Sequence, residues 1–171
     1  MSVTLHTTLG PINVELYCKE CPKTTENFLA LCASSYYNSC IFHRVIKDFI
    51  IQTGDPTGSG KGGTSIWGSS FQDEIHENLK HDQPGVISMA NSGPNTNKSQ
   101  FFITLSPQEH LDSKYTVFGK VADKGMDVIR AINDTPVDER YRPVSPVLIE
   151  NVTVHSNPIA DQILNFWIRL E

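Results

Sequence analysis

The sequence predicts one mainly β domain, a closed antiparallel barrel whose ends are covered by helices. The strand-like segments are many and short, and the helical segments are few. Their order is strand, strand, helix, strand, strand and then mostly strand, which is typical of such barrels. At 171 residues with 39% hydrophobic side chains, the chain is long enough to bury roughly two-thirds of its unfolded surface around one core.

The opening segments predict a β-hairpin followed by a helix. Residues 3–8 and 12–17 alternate between apolar and polar side chains and flank a Leu9-Gly10-Pro11 turn. Pro22 is suited to the first position of a helix, and apolar residues then recur at helical spacing as far as Ser34.

The middle of the chain predicts further strands, one long loop and a second helix. Residues 54–70 are rich in glycine and lack periodicity, and a loop of that length in a compact domain is usually functional. The predicted strands span residues 41–46, 49–53, 86–90, 100–105, 115–121 and 147–154, and the second helix spans residues 126–132.

The last residues predict a separate amphipathic helix. Asn157 and Pro158 are suited to a helix start. The apolar side chains that follow fall on one helical stripe: Ile159, Ile163, Phe166, Trp167 and Leu170. We expect this helix to dock on its own barrel, and the alternative is contact with a partner or a second copy. The predicted division is a domain over residues 1–157 and a helical extension over residues 158–171.

Composition and charge exclude several classes of partner. The formal net charge is -5, the pI is about 5.6, and the 14 basic residues are scattered along the chain. No cluster of positive charge is therefore available for a nucleic-acid backbone or an anionic membrane. The N-terminus lacks the features of a secretory signal, and no window has the length of a membrane span. We expect a protein of the cytoplasm or nucleus with protein partners.

The cysteines predict neither a metal site nor a disulfide. Cys18 and Cys21 have the C-x-x-C spacing, but a zinc site needs two further ligands, and Cys32 and Cys40 do not repeat that spacing. Free thiols in a reducing compartment are favoured, and a redox or zinc function for the first pair is the remote alternative.

The sequence predicts neither a nucleotide-binding loop nor the nucleophile elbow of a serine hydrolase. Residues 58–63 contain a formal G-x-G-x-x-G, but the residues that follow are not helical, so no helix N-terminus is available for a phosphate. No G-x-S-x-G elbow is present. His43 is not favoured as a general base, because adjacent residues of a strand face opposite sides and His43 and Arg44 would not act on one atom.

Arg44 and Gln52 stand among bulky apolar side chains on two neighbouring predicted strands, residues 41–46 and 49–53. A core strand would be continuously apolar, and a surface strand would carry several charges. The mixture therefore predicts a shallow apolar pocket with one directed donor group. Such a pocket suits a compact apolar ring beside a carbonyl, as in a proline-containing peptide.

Six segments spread in order along the chain carry a family resemblance. They are Phe42-His43-Arg44-Val45-Ile46, Phe49-Ile50-Ile51-Gln52-Thr53-Gly54-Asp55, Gly85-Val86-Ile87-Ser88-Met89-Ala90-Asn91, Gly93-Pro94-Asn95-Thr96-Asn97, Ser99-Gln100-Phe101-Phe102-Ile103 and Val117-Phe118-Gly119-Lys120-Val121. These segments resemble the signature segments of cyclophilins, which are peptidyl-prolyl cis-trans isomerases. The resemblance extends from about residue 2 to residue 157. It implies an eight-stranded antiparallel β-barrel capped by two helices, and an enzyme without a metal or other cofactor.

Four further segments, residues 27–34, 54–58, 65–68 and 110–112, resemble the short isomerase-like cyclophilins that are associated with spliceosomes. This resemblance implies spliceosomal proteins among the partners, a role in mRNA splicing and residence in the nucleus. We also expect a monomer.

The resemblance to cyclophilins assigns roles to individual residues. It makes Arg44 the catalytic guanidinium, Gln52 the residue that orients it, and Phe49 the third member of the catalytic group. The substrate-binding residues are then Ile50, Phe102 and Leu111 in the proline pocket, Ala90, Asn91 and Gln100 along the peptide backbone, and His43, His110 and Tyr115 at other ligand-contacting positions.

Three positions depart from the family pattern. The family often has Met at position 50, Trp at position 110 and His at position 115, where this chain has Ile50, His110 and Tyr115. Loss of the indole at position 110 removes a large apolar wall and an N–H donor, so we expect weakened binding of cyclosporin-type macrocycles. Isomerisation is expected to persist, because the arginine and the phenylalanines remain.

An arginine suits the rotation of an X-Pro bond. The barrier is about 18 to 20 kcal/mol because the nitrogen lone pair is delocalised into the carbonyl. In the twisted state the nitrogen is pyramidal and basic, so a fixed cationic donor stabilises that state more than either planar state. We therefore expect an isomerase acting on protein substrates. The alternative is a module that binds a proline segment with little turnover.

Overall fold

The computed structural model describes residues 1–155, which form one sheet of eight strands with two α-helices. All eight predicted strands and the first two predicted helices are confirmed. The largest difference in a strand boundary is at the third strand, which begins at Arg44 rather than at residue 41. The elements are β1 (Ser2–Thr7), β2 (Gly10–Leu16), α1 (Pro22–Ala33), β3 (Arg44–Ile46), β4 (Ile50–Thr53), β5 (Val86–Met89), β6 (Phe101–Thr104), β7 (Val117–Val121), α2 (Met126–Asn133) and β8 (Ile149–Val154).

The predicted closed barrel is wrong, because the eight strands form an open half-barrel. Their order is β3-β4-β6-β5-β7-β2-β1-β8, and every neighbouring pair is antiparallel. Within residues 1–155, β3 and β8 do not pair along their lengths, and only an isolated bridge joins Ile41 to Leu148. The Val45 N–H donates instead to the carbonyl of Tyr141 at 2.7 Å. The loop before β8 thus occupies the edge that a closing strand would need.

The predicted C-terminal helix over residues 158–171 lies outside the described residues, and the division of the chain at residue 157 stays a prediction. In the part of the chain that the structure describes, no helix is long and apolar enough to cross a membrane.

The inner face of the half-barrel holds the core. Phe28 of α1 packs against Phe101 of β6 and Phe118 of β7, with ring centroids 5.2 Å apart in each pair. The ring of Tyr37 lies 5.3 Å from that of Phe101, and its hydroxyl donates to the carbonyl of Ser99 at 2.8 Å. All four rings are fully buried. This aromatic cluster joins α1 to the centre of the sheet.

The outer face of the sheet carries a second, smaller apolar cluster, because neighbouring residues of a strand face opposite sides. Phe101 belongs to the core, whereas Phe102 lies on the outer face with Ile50. In the strand register, Gln52 of β4 lies opposite Arg44 of β3 on one side and opposite Phe102 of β6 on the other. The three side chains therefore share one face.

The four cysteines are free thiols. The thiol of Cys21 is buried and donates to the carbonyl of Val117 at 3.2 Å. Burial, with a smaller contribution from Glu74, raises the pKa of Cys21 to about 12, which leaves almost none of the reactive thiolate at neutral pH. Among residues 1–155, no three His, Cys, Asp or Glu side chains converge as a metal site would require.

Candidate active site

The outer face of β3, β4 and β6 forms the wall of a hollow of about 210 Å³. Its lining consists of nine of the predicted site residues: Arg44, Phe49, Ile50, Gln52, Ala90, Asn91, Phe102, Leu111 and Tyr115. These residues come from segments far apart in the sequence. The pairing of the strands, rather than any local pattern, brings them together.

The floor of the hollow is apolar. Ile50, Phe102 and Leu111 are nearly fully buried and pack together, and Phe49 and Tyr115 pack against them while half-buried. The rings of Phe102 and Tyr115 meet edge to face, with centroids 5.5 Å apart and planes at 84°. A concave surface of this kind fits a small saturated ring such as that of proline.

Among the residues that the structure describes, Arg44 supplies the only cation of this lining. Its side chain is exposed at the rim, and among residues 1–155 it takes part in no salt bridge. The guanidinium donors are therefore available to a ligand that enters the hollow. A ligand that covers the apolar floor would also exclude water from this charge and strengthen its electrostatic effect.

Gln52 is fixed by a chain of hydrogen bonds. Its Nε2 donates to Oε1 of Gln100 at 3.0 Å. The Nε2 of Gln100 donates in turn to the carbonyls of Gly60 at 3.1 Å and Gly62 at 2.9 Å. The amide orientation leaves Oε1 of Gln52 as an acceptor on the face that it shares with Arg44.

The glycine-rich loop that holds Gln100 is organised by Asp55. The fully buried carboxylate accepts from the N–H groups of Thr57 at 2.9 Å, Gly60 at 2.8 Å and Gly62 at 3.0 Å, and from the Thr57 hydroxyl at 2.8 Å. Burial raises the pKa of Asp55, but these hydrogen bonds outweigh it and hold the pKa below its ordinary value. A Cβ at Gly62 would overlap both Asp55 and Thr57, so the loop needs glycine there.

A second hollow of about 460 Å³ adjoins the first. The two share Gln52, Ala90 and Asn91. The second hollow is also lined by Gly60, Lys61, Gly62, Ser70, Ser92, Thr96, Lys98 and Gln100. Of these residues, sequence reasoning identified only Gln100. The length of the loop over residues 54–70 was the one signal for Gly60, Lys61, Gly62 and Ser70, and it does not extend to Ser92, Thr96 and Lys98.

Two predicted site residues, His43 and His110, line neither hollow. His43 is buried, and a Cβ at Gly60 would stand 3.3 Å from its ring. Its Nδ1 has no hydrogen-bond partner among the described residues, and burial lowers its pKa, with partial opposition from Asp55. His110 lies in a 3₁₀ turn, and its ring centroid is 5.7 Å from that of Phe49. His110 therefore borders the hollow, whereas His43 lies behind the neighbouring loop.

Comparison with known proteins gives a consistent result. The family model described as cyclophilin type peptidyl-prolyl cis-trans isomerase/CLD matches residues 2–154. The chain is 62% identical over 161 residues to peptidyl-prolyl cis-trans isomerase-like 3 of Homo sapiens, with 94% of this chain and 99% of that protein covered. It is 62% identical over 160 residues to peptidyl-prolyl cis-trans isomerase 10 of Caenorhabditis elegans, with the same coverage of 94% and 99%.

A solved structure extends the likeness to three dimensions. It is a Cryptosporidium parvum cyclophilin type peptidyl-prolyl cis-trans isomerase, determined in the presence of the dipeptide Ala-Pro. The match has a TM-score of 0.88 and 47% sequence identity, and it covers 92% of this chain and 100% of that chain. The fold, the family model and the relatives agree, and the chain belongs to the family of cyclophilin-type peptidyl-prolyl cis-trans isomerases.

Proposed function

We propose that isomerisation takes place in the 210 Å³ hollow, with Arg44 as the catalytic residue and proline-containing segments of proteins as substrates. The observation that supports this proposal is the position of one guanidinium, without a salt-bridge partner among residues 1–155, at the rim of an apolar floor. The name of the Cryptosporidium parvum structure, with its Ala-Pro dipeptide, supports a proline-containing ligand.

The proline ring would rest on the apolar floor formed by Ile50, Phe102 and Leu111, with Phe49 beside it. Burial of a ring in this surface is favourable by about 25 cal/mol for each Å² of apolar area removed from water. This contact is the same for the planar and twisted bonds, so it supplies binding rather than acceleration.

Acceleration is assigned to Arg44. As the bond rotates, the proline nitrogen loses its delocalisation and becomes a hydrogen-bond acceptor. The guanidinium can donate to this nitrogen only in the twisted state, and each 1.36 kcal/mol of such differential stabilisation raises the rate about tenfold. Gln52 would hold the guanidinium in place, because its own amide is fixed by Gln100.

The peptide backbone would be held beside the ring by Ala90 and Asn91. The Asn91 side chain is held by two hydrogen bonds: its Nδ2 donates to the carbonyl of Lys114 at 3.0 Å and its Oδ1 accepts from Gly93 N–H at 3.2 Å. The main-chain N–H and carbonyl of Asn91 face no partner among residues 1–155. They are suited to pair with an extended peptide.

Exchange spectroscopy on a short X-Pro peptide tests the role of Arg44. We expect Arg44→Ala to lower kcat/KM about a hundredfold, the range found when one transition-state donor is removed. Arg130→Ala is the matched control, because Arg130 is also exposed but lies on α2 and pairs with Asp127. An Arg44→Ala variant with full activity would refute the assignment. Peptide binding without any acceleration by the unaltered protein would favour the alternative, a proline-binding module.

We also propose weak binding of cyclosporin-type macrocycles. His110 offers a smaller ring than the indole that the family often has there, and it contacts Phe49 at the border of the hollow. His110→Trp should tighten macrocycle binding about tenfold in a calorimetric titration, since a buried tryptophan adds large apolar area. An unchanged affinity would contradict this proposal.

We propose spliceosomal proteins as partners, residence in the nucleus or cytoplasm, and a monomeric state. The support is the resemblance of residues 27–34, 54–58, 65–68 and 110–112 to the spliceosome-associated subgroup. Affinity capture from nuclear extract should recover splicing proteins, and sedimentation equilibrium should give the mass of one chain. Recovery of none of them, or a dimer mass, would contradict these proposals.

A further inference from the structure

We propose that His81 is a positioning residue for the proline-binding hollow, because one buried imidazole both backs the ring of Phe102 and anchors the turn that carries Leu111. This inference rests on the proposed function, since both residues belong to the proposed proline-binding floor. His81 is not among the residues that line the hollow.

His81 lies directly behind the floor. Its side chain is 1% exposed. Its ring stacks on Phe102 with centroids 5.9 Å apart and planes at 16°. Its Nε2 lies 3.1 Å from the hydroxyl of Ser88, which stands opposite Phe102 in the pairing of β5 with β6. The rear of the Phe102 ring therefore meets a flat, polar group that is itself held in place.

His81 also anchors residues 108–112, which follow β6 and include the 3₁₀ turn that carries Leu111. The main-chain N–H of Gln108 donates to the carbonyl of His81 at 2.7 Å. The carboxylate of Asp112 accepts from the His81 N–H at 2.7 Å and from its Nδ1 at 2.9 Å. Gln108 and Asp112 flank the 3₁₀ turn Glu109–Leu111 on both sides. Three hydrogen bonds to one residue thus fix the position of Leu111.

The hydrogen-bond partners fix the proton of the neutral imidazole on Nδ1, because the Asp112 carboxylate can only accept. The Ser88 hydroxyl donates to the carbonyl of Thr116 at 3.0 Å, and its oxygen lies 3.1 Å from Nε2. Burial lowers the pKa of His81, and the hydrogen bond with Asp112 opposes this only in part. The neutral His81 ring therefore stacks on Phe102 and places no charge behind the proline-binding floor.

Two substitutions separate the two contacts of His81. Asn places its Nδ2 where the imidazole has Nδ1, so His81→Asn can keep the hydrogen bond to Asp112 but removes the ring behind Phe102. Phe keeps a flat ring but has no donor, so His81→Phe backs Phe102 and removes the side-chain hydrogen bond to Asp112, while the two main-chain hydrogen bonds of residue 81 remain. His6→Asn is the matched control, because His6 lies on β1 and bonds to Thr153, far along the sheet from β6.

KM, kcat and the methyl resonances of Leu111 are measured for each variant, with the folded fraction taken from urea unfolding. We expect His81→Phe to raise KM about tenfold and to shift the Leu111 methyls, because the turn loses the side-chain hydrogen bond from residue 81 to Asp112. His81→Asn should raise KM about threefold and leave the Leu111 methyls in place. In both variants kcat should stay within about twofold, since Arg44 is untouched. His6→Asn should change none of these quantities.

Several outcomes would overturn the proposal. A partly unfolded variant has fewer active molecules, so a purely structural role would lower the apparent kcat at an unchanged KM. Folded variants with an unchanged KM would also refute it, as would Leu111 methyls that shift equally in both variants. The methyl resonances need no turnover. If Arg44→Ala keeps full activity, the proposed function fails, while these resonances still report whether His81 positions Leu111.

Discussion

Phe101 and Phe102 are neighbours on β6, yet they belong to clusters of opposite character. Phe101 is enclosed by the rings of Phe28, Tyr37 and Phe118 on the inner face. Phe102 lies on the outer face, where its cluster is small and one side forms the floor of a hollow. The inner cluster is fully enclosed, with the Tyr37 hydroxyl hydrogen-bonded to the carbonyl of Ser99, whereas the outer cluster borders solvent.

The difference shows how the sheet supports a concave site. An open surface lacks the packing that fixes a core side chain from every direction. On the outer face, buried polar groups fix the side chains instead. His81 supports the floor from behind, and Asp55 holds the loop that fixes Gln100. The inner face therefore supplies most of the stability, and the outer face supplies a surface for ligands.

The largest expected effect breaks the inner cluster. Phe101→Ala should lower the free energy of unfolding by about 3 to 5 kcal/mol, because it leaves a cavity among rigid rings. Phe102→Ala should cost about 1.5 to 3 kcal/mol, because Phe102 borders the hollow and its removal widens that hollow instead of leaving a closed cavity. It should also raise KM for an X-Pro peptide. Urea unfolding and peptide kinetics measure both variants. Equal losses of stability would contradict the distinction between the two faces.

The next effect concerns the polar support of the loop. Asp55→Asn should lower the free energy of unfolding at neutral pH by about 1 to 3 kcal/mol, because an amide cannot accept all the N–H groups around it. The folded pKa of Asp55 is depressed, so its stabilisation is complete above the unfolded value of about 4 and is lost as the pH falls through the folded value.

Urea unfolding from pH 7 down to pH 3 checks this prediction. The difference between the unaltered protein and Asp55→Asn should shrink at the acid end. Asp127→Asn serves as the control, because Asp127 is exposed on α2. A difference that is constant over this range would show that the Asp55 charge does not stabilise the loop.

A smaller effect is expected from Gln100. Gln100→Ala removes both the acceptor for Gln52 and the donor to the loop carbonyls. We expect kcat/KM to fall about tenfold, equivalent to 1.36 kcal/mol, through a less ordered Arg44. Gln72→Ala is a control with an exposed glutamine. Full activity in Gln100→Ala would show that Arg44 needs no such support.

The smallest expected effect concerns the lysines of the second hollow. Lys61 and Lys98 line it without any acidic side chain, so a peptide with Glu before the X-Pro pair should bind more tightly than one with Lys. Exposed ion pairs contribute about 0.2 to 1 kcal/mol, so Lys61→Glu should reduce this preference about threefold at low salt. Lys124→Glu is the control. A preference that is independent of salt and of Lys61 would contradict this prediction.

The sequence by itself determined the local elements and the chemical types at the site. The alternation of apolar and polar residues and the helical spacing of apolar residues located the eight strands and two α-helices within residues 1–155. These patterns are local, because apolar residues recur on the side of each element that faces the core. The exceptional Arg44 among aromatic residues pointed to a directed donor in an apolar pocket. The family resemblance supplied the other site residues, and Arg44 with eight of them lines one hollow.

Only the tertiary structure decided how distant segments meet. The half-barrel stays open because Tyr141 takes the edge of β3, and no local pattern records that contact. Strand alternation places His43 and Arg44 on opposite sides, but only the fold shows that the loop at Gly60 covers His43. The same holds for His81, whose partners Ser88 and Asp112 are 7 and 31 residues away. Contacts of this kind depend on strand register and on loop paths, which arise from the packing of the whole chain rather than from neighbouring residues.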